Sequence, residues 1–193
     1  MRSFAIIAAF PLALLFAACD SGGGQIEPVL VTDTFDIAAP TAGSALPTAV
    51  DITALGGFSI VGGRFPEELN DAGEWDFAVR LVGGELQFVP AGAIGILDVG
   101  GRSRAGITQP LTGRTFNSVT QAPNQAAFIT DRGVTARVGE VYGARSRLIL
   151  CGASAVEQYA KLQPLEVDLA AQRVRFQIVT SSICADQRLA EED

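Results

Sequence analysis

Paired glycines at Gly56-Gly57, Gly62-Gly63, Gly83-Gly84 and Gly100-Gly101 divide the middle of this chain into short runs rich in Val, Ile and Phe. Glycine takes the positive φ of a tight turn at no steric cost, so such pairs punctuate hairpins. No Gly-Lys-Ser/Thr or strand-to-helix context accompanies them, which sets aside a phosphate-cradling loop. Two runs alternate strictly. Trp75, Phe77, Val79 and Leu81 fall on one face, with Asp76, Ala78 and Arg80 on the other. Val174, Phe176 and Ile178 alternate with Arg173, Arg175 and Gln177. Period two with one apolar face predicts half-buried strands of an antiparallel sheet. Val29 to Thr32 reads as extended, and Pro40, Gly43 and Pro47 make 39–53 loop or edge structure. Helical periodicity is confined to two short candidates, Phe65 to Ala72, which opens with Pro66, and Ala185 to Glu192. The expected fold is therefore all-β, an antiparallel sheet-rich single domain over 29–193 with few short helices.

The last third predicts a topology. Strands near Glu140–Leu150, Glu157–Asp168 and Gln172–Thr180 form an antiparallel meander, whose first and third strands point the same way with ends about 10 Å apart. Cys151 follows the first and Cys184 follows the third, so both lie beyond one end of the sheet. A disulfide between them is one reading, and would stabilise the fold by about 3–4 kcal/mol through chain entropy. Two buried free thiols are the other.

The start of the chain sets the compartment. Met1-Arg2-Ser3 carries a positive charge, Phe4 to Phe16 is an apolar run too short to span a bilayer, and Ala17-Ala18 precede Cys19. This is a cleaved export signal over 1–18. It resembles the lipobox signal of bacterial lipoproteins, although Phe16 stands where that signal usually has Leu. The resemblance implies that Cys19 becomes an acylated N-terminus, each buried methylene contributing ~0.8 kcal/mol of membrane affinity. Residues 19–28, glycine-rich, would be the lipidated tether. The expected location is the cell envelope, lipid-anchored. Asp20 follows the cysteine, a position that favours inner-membrane retention in the best-known sorting rule, while surface-exposed relatives argue the other way.

Charge and missing residue types exclude several functions. The net charge of −7 becomes −8 once Arg2 leaves with the signal. No basic stripe is available for phosphates, which excludes nucleic acid as a partner. Histidine is absent, so a serine has no imidazole base, and Gly152-Ala153-Ser154-Ala155 does not complete a Gly-x-Ser-x-Gly elbow. The chain reads as a non-enzyme.

Several strand-like segments are similar to one family. Trp75-Asp76-Phe77-Ala78-Val79-Arg80, Val141-Tyr142-Gly143-Ala144-Arg145-Ser146, Tyr159-Ala160-Lys161-Leu162-Gln163 and Val174-Arg175-Phe176 resemble, in order and spacing, strands of HmuY-like proteins. These are secreted bacterial lipoproteins of mainly β fold, some of which capture haem. The resemblance spans about Asp71 to Thr180 and implies a ligand-binding envelope protein, with haem as the offered ligand. The chain departs from the family at the chemistry: its haem-capturing members use histidines or methionines, and here Met1 is the only methionine. Haem would then be held without His or Met, through an apolar slot or by Tyr142 or Tyr159, the only tyrosines, as ligands to ferric iron. Either tyrosine can equally be a packing residue.

Two charge clusters remain. Glu67, Glu68, Asp71, Glu74 and Asp76 suit either a solvated acidic loop or a carboxylate site, without the regular spacing of a calcium loop. Arg145 and Lys161, with Arg173 or Arg175, can form a cationic patch for a carboxylate or phosphate, or pair across strands with Glu157, Glu166 and Asp168. The expected function is small-ligand binding at a site including Tyr142, Tyr159, Arg145 and Lys161. The alternative is an interaction lipoprotein that meets an envelope protein or glycan.

Overall fold

The computed structural model describes residues 29–40, 49–55, 75–97 and 103–191. The alternating and β-branched runs form strands, and the fold is all-β and antiparallel. A six-stranded sheet comprises β1 (Leu30–Ala38), β5 (Gly106–Thr108), β6 (Phe128–Ile129), β8 (Tyr142–Arg145), β11 (Tyr159–Asp168) and β12 (Arg173–Ser181), in the order β1-β12-β11-β8-β5-β6. A four-stranded sheet contains β2 (Ala49–Val50), β3 (Phe77–Val82), β4 (Glu85–Pro90) and β7 (Val134–Thr135), in chain order. The remaining pair, β9 (Ile149–Cys151) and β10 (Ser154–Val156), is a separate hairpin between β8 and β11. One α-helical turn, Ile52–Leu55, follows β2.

The predicted meander is present as β8-β11-β12, with Ala160 opposite both Ala144 and Thr180. Its first strand is shorter than expected, because the chain leaves the sheet after Arg145 and turns into the β9–β10 hairpin. Gly83 and Gly84, at φ +62° and +86°, close the β3–β4 hairpin in the left-handed region. The other three glycine pairs lie outside the described residues, as do residues 65–72, the first helix candidate.

The core lies between the two sheets. Phe35 and Phe176 come from one, Phe77 and Phe88 from the other, and Tyr142 completes the cluster. Phe88 meets the rings of Phe77, Phe176 and Tyr142 edge-on at 5.6, 5.7 and 5.6 Å. Edge-to-face contacts of this kind add to area burial, because the positive ring edge meets the negative face.

Two expectations are corrected. The strand at Trp75 begins only at Phe77, and its alternation fails: Phe77 and Val79 enter the main core, while Trp75 packs with Ala78, Ala49, Ala91 and Ala105 in a second cluster. Leu81 is exposed. Both faces of the strand's first half are covered, and its end projects into solvent. The C-terminal helix expected over 185–192 is also absent from the described part, 185–191. That segment lies alongside 120–122 instead: Leu189 N–H donates to the Thr120 carbonyl, and the Ala122 N–H donates to the Gln187 carbonyl. Asp186 occupies itself with Arg188 and the Ser181 hydroxyl. These tertiary bonds replace the ladder that a short isolated helix makes only marginally in water.

Cys151 and Cys184 form a disulfide with Cα atoms 6.3 Å apart. It ties the β9–β10 hairpin to the turn after β12. Cys184→Ser lowers the unfolding free energy by about 3–4 kcal/mol by the loop-closure argument. Urea titrations of wild type and variant would measure it, and an unchanged midpoint would mean the bridge constrains nothing.

Candidate functional site

Neighbouring residues across an antiparallel pair point to the same side, which sorts the predicted site residues onto two faces. Tyr142 is opposite Leu162, and both lie in the main core. Its hydroxyl accepts from the Arg137 N–H at 3.0 Å and donates to the Thr135 carbonyl at 2.9 Å. Burial pushes its pKa up. Tyr159 is opposite Arg145, one residue out of phase, and so lies on the other face, packed 6.0 Å from the Phe128 ring. The sheet separates the two tyrosines, so they do not share one ligand position.

Arg145 and Lys161 are brought together on that outer face, with Lys161 opposite Gly143. Segment 109–141 covers them. Its approach is so close that a Cβ on Gly143 would lie 2.7 Å from Pro123 Cγ. Arg145 Nε donates to the Arg104 carbonyl at 2.7 Å, and its guanidinium stands 4.9 Å over the Phe128 ring. Lys161, 3% exposed, donates to the carbonyls of Phe116 and Val119, both at 2.9 Å, with its ammonium 4.7 Å from the Phe116 ring. Burial lowers its pKa. Both cations are therefore turned into the protein to hold loop carbonyls. The wider cationic patch does not form, because Arg173 pairs with Asp36 at 2.8 Å and Glu166 at 2.7 Å, with Asp168 at 3.9 Å. Glu157 is engaged by Arg104 at 2.9 Å. The Arg173 pairs join opposite charges on the neighbouring strands β1, β12 and β11, as cross-strand pairing predicts.

Lys161 also marks the floor of a groove of about 920 Å³ on this face. The floor is built from three strands: Thr32 of β1, Gln177 and Val179 of β12, and Lys161 and Gln163 of β11. Register explains the grouping, since Val179 is opposite both Thr32 and Lys161, and Gln177 is opposite Gln163. Gln177 Nε2 donates to Gln163 Oε1 at 2.7 Å, and Gln163 Nε2 donates to the Gly139 carbonyl at 2.7 Å. The walls of the groove are the loop carrying Phe116, Asn117 and Thr120 and the C-terminal segment Leu189 to Glu191, joined to each other where the Leu189 N–H donates to the Thr120 carbonyl at 2.8 Å. Lys161 pins the first wall through two carbonyls, so the shape of the groove depends on it. Sequence reasoning found Lys161 but not the groove. The even spacing of Thr32 and Thr34 against Phe35 and Ile37 is the only local signal of it.

A second constellation joins the two sheets and was not anticipated. Asp76, fully buried, accepts from the backbone N–H groups of Ile52 and Arg147, both at 2.7 Å, and from the Arg147 guanidinium at 3.3 Å. The same guanidinium grips Asp51 with two N–H donors at 3.0 and 3.1 Å, and Asp51 also accepts the Thr53 hydroxyl at 2.6 Å. Desolvation pushes Asp76 up to about 7, against the lowering effect of Arg147. The donors and acceptors are spent on one another, which makes this cluster a latch between β2–β3 and the exit of β8. Of the acidic run from Glu67, only Asp76 lies within the described residues, and it faces inward. Among the described residues no three His, Cys, Asp or Glu side chains converge as metal ligands. Cys19 lies outside the described residues.

No protein-family model, curated protein or solved structure matches this chain. Function must be argued from its own residues.

Proposed function

We propose that this chain is a lipid-anchored binding protein of the bacterial cell envelope, HmuY-like and without enzymatic activity, whose ligand occupies the groove over Lys161. The observation that carries this reading is the groove itself, a concavity over β1, β12 and β11 walled by a loop that a buried lysine holds in place. A cavity of this size is within the range of small-ligand sites. The anchor rests on Cys19 after Ala17-Ala18. Leu30 lines the groove, and the stretch from Cys19 to Leu30 reaches at most ~40 Å when extended. Such a tether keeps the groove close to the bilayer and its envelope neighbours.

Haem is the ligand that the family resemblance offers, and it would sit here without His or Met ligation. Tyr142 is committed to the core, and among the described residues the charged groups lining the groove are Lys161 and Glu191. Two measurements test the proposal. Radiolabelled palmitate should label the wild-type chain in cells and not Cys19→Ser, whose retained label would overturn the anchor. Haem titration followed by Soret absorbance should give a saturable, shifted band at one equivalent if haem is the ligand, lost in Thr32→Trp, whose indole obstructs the groove floor. An unshifted band removes haem.

A further inference from the structure

The lining of the groove selects a ligand class. Its floor offers the amides of Gln163 and Gln177 and the hydroxyl of Thr32, and its loop wall offers Asn117 and Thr120. The Gln177–Gln163 and Gln163–Gly139 bonds use one N–H of each amide and leave Gln177 Oε1 and the second N–H groups for a partner. The half-buried Phe116 ring is an apolar platform on the same wall. The charges of the lining are few and of both signs: the buried Lys161 ammonium spends two of its donors on carbonyls and lies over the Phe116 ring, and Glu191 adds a carboxylate.

We infer that the groove takes a neutral, hydroxyl-rich ligand, a segment of glycan. An anion would need a cation with donors to spare, and would meet Glu191 and a chain of net charge −7. A hydrophobic ligand would strand the amides of the floor without partners. An extended peptide binds by adding to a sheet edge; β1 is such an edge, but the amides and lysine of the floor stand on β11 and β12, which are paired on both sides and have no backbone groups to offer it. Sugar hydroxyls both donate and accept, so they match a surface of amides and hydroxyls, and the less polar face of a sugar ring suits Phe116.

The inference rests on the groove being the binding site, and the experiment separates the two claims. The full-length protein is solubilised in a non-glycosidic detergent and titrated by calorimetry with chitotetraose and maltohexaose. A hyaluronan hexasaccharide serves as the acidic probe, and haem is followed by absorbance. The expected result is saturable binding of a neutral oligosaccharide, weakened about three- to tenfold by Gln177→Ala, the loss of one net neutral hydrogen bond. Thr32→Trp should abolish it with the unfolding midpoint unchanged. Preference for the acidic probe overturns the inference. Binding of haem alone, lost in Thr32→Trp, also overturns it and leaves the groove as the site. Binding of a neutral oligosaccharide that Thr32→Trp does not weaken overturns both claims, as does saturation by none of the probes.

Discussion

Arg147→Met destabilises the protein by about 3–5 kcal/mol, because it removes the guanidinium that the buried carboxylates of Asp51 and Asp76 both hold. Asp51 and Asp76 would then face each other across a desolvated space, each retaining its backbone donors but neither its counter-ion. The cost depends on pH, and its sign follows from Asp76. The carboxyl is held near 7 in the folded protein against 3.8 when exposed. Between those values the native state holds a proton that the unfolded chain has released, so this group's contribution to stability falls as pH rises from about 4 to 7. Without Arg147 its pKa rises further, since that guanidinium is the largest lowering influence. At pH 5 Asp76 is mostly neutral in both proteins and loses little with the guanidinium, whereas at pH 8 the wild type holds a paired carboxylate that the variant must either protonate or leave unpaired. Urea titrations at the two pH values should therefore show a smaller loss at pH 5, and Asp76→Asn should flatten the difference. Equal losses at both pH values would mean that Asp76 does not change protonation there.

Phe176→Ala costs about 3–5 kcal/mol, the range for emptying an aromatic site in a core that relaxes only partly. Phe176 is the hinge of the aromatic cluster: its ring lies 5.9 Å from Phe35, 6.2 Å from Phe77 and 5.7 Å from Phe88. Phe35 belongs to its own sheet, the other two to the facing one, so the cavity would open between the layers. Arg175→Ala, one residue away on the exposed face, should change stability by no more than about 0.5 kcal/mol. Denaturant midpoints of the two variants decide this, and similar losses would mean that the sheets do not meet through Phe176.

The alternation of Val174, Phe176 and Ile178 placed β12 correctly because its facing residues on β1, Phe35 and Ile37, alternate with it, so the local period survives into the tertiary structure even though β11 shifts register between Pro164 and Glu166. At Trp75 the same pattern misled. A second apolar cluster, assembled from Ala49, Ala91 and Ala105, covers the opposite face and takes Trp75 with it. Small residues at scattered positions leave no period to read. The cationic patch was half legible: Arg145 and Lys161 were candidates to share a face, the strand register puts them there, and only the tertiary fold turned their heads to the carbonyls of Arg104, Phe116 and Val119.

The amino-acid order by itself determined the all-β class and the β8-β11-β12 meander, which depend on short-range periodicity, and it brought Cys151 and Cys184 to one end of the sheet, where the structure joins them. It also excluded histidine chemistry outright. Only the tertiary structure decided that β1 flanks β12, that Asp51 and Asp76 meet Arg147 across 96 and 71 residues, and that Thr32 shares a groove with Lys161 and Glu191. Those contacts are non-local. Their partners carry no pattern along the chain, and the free energy that selects them comes from closing a sandwich around its aromatic core.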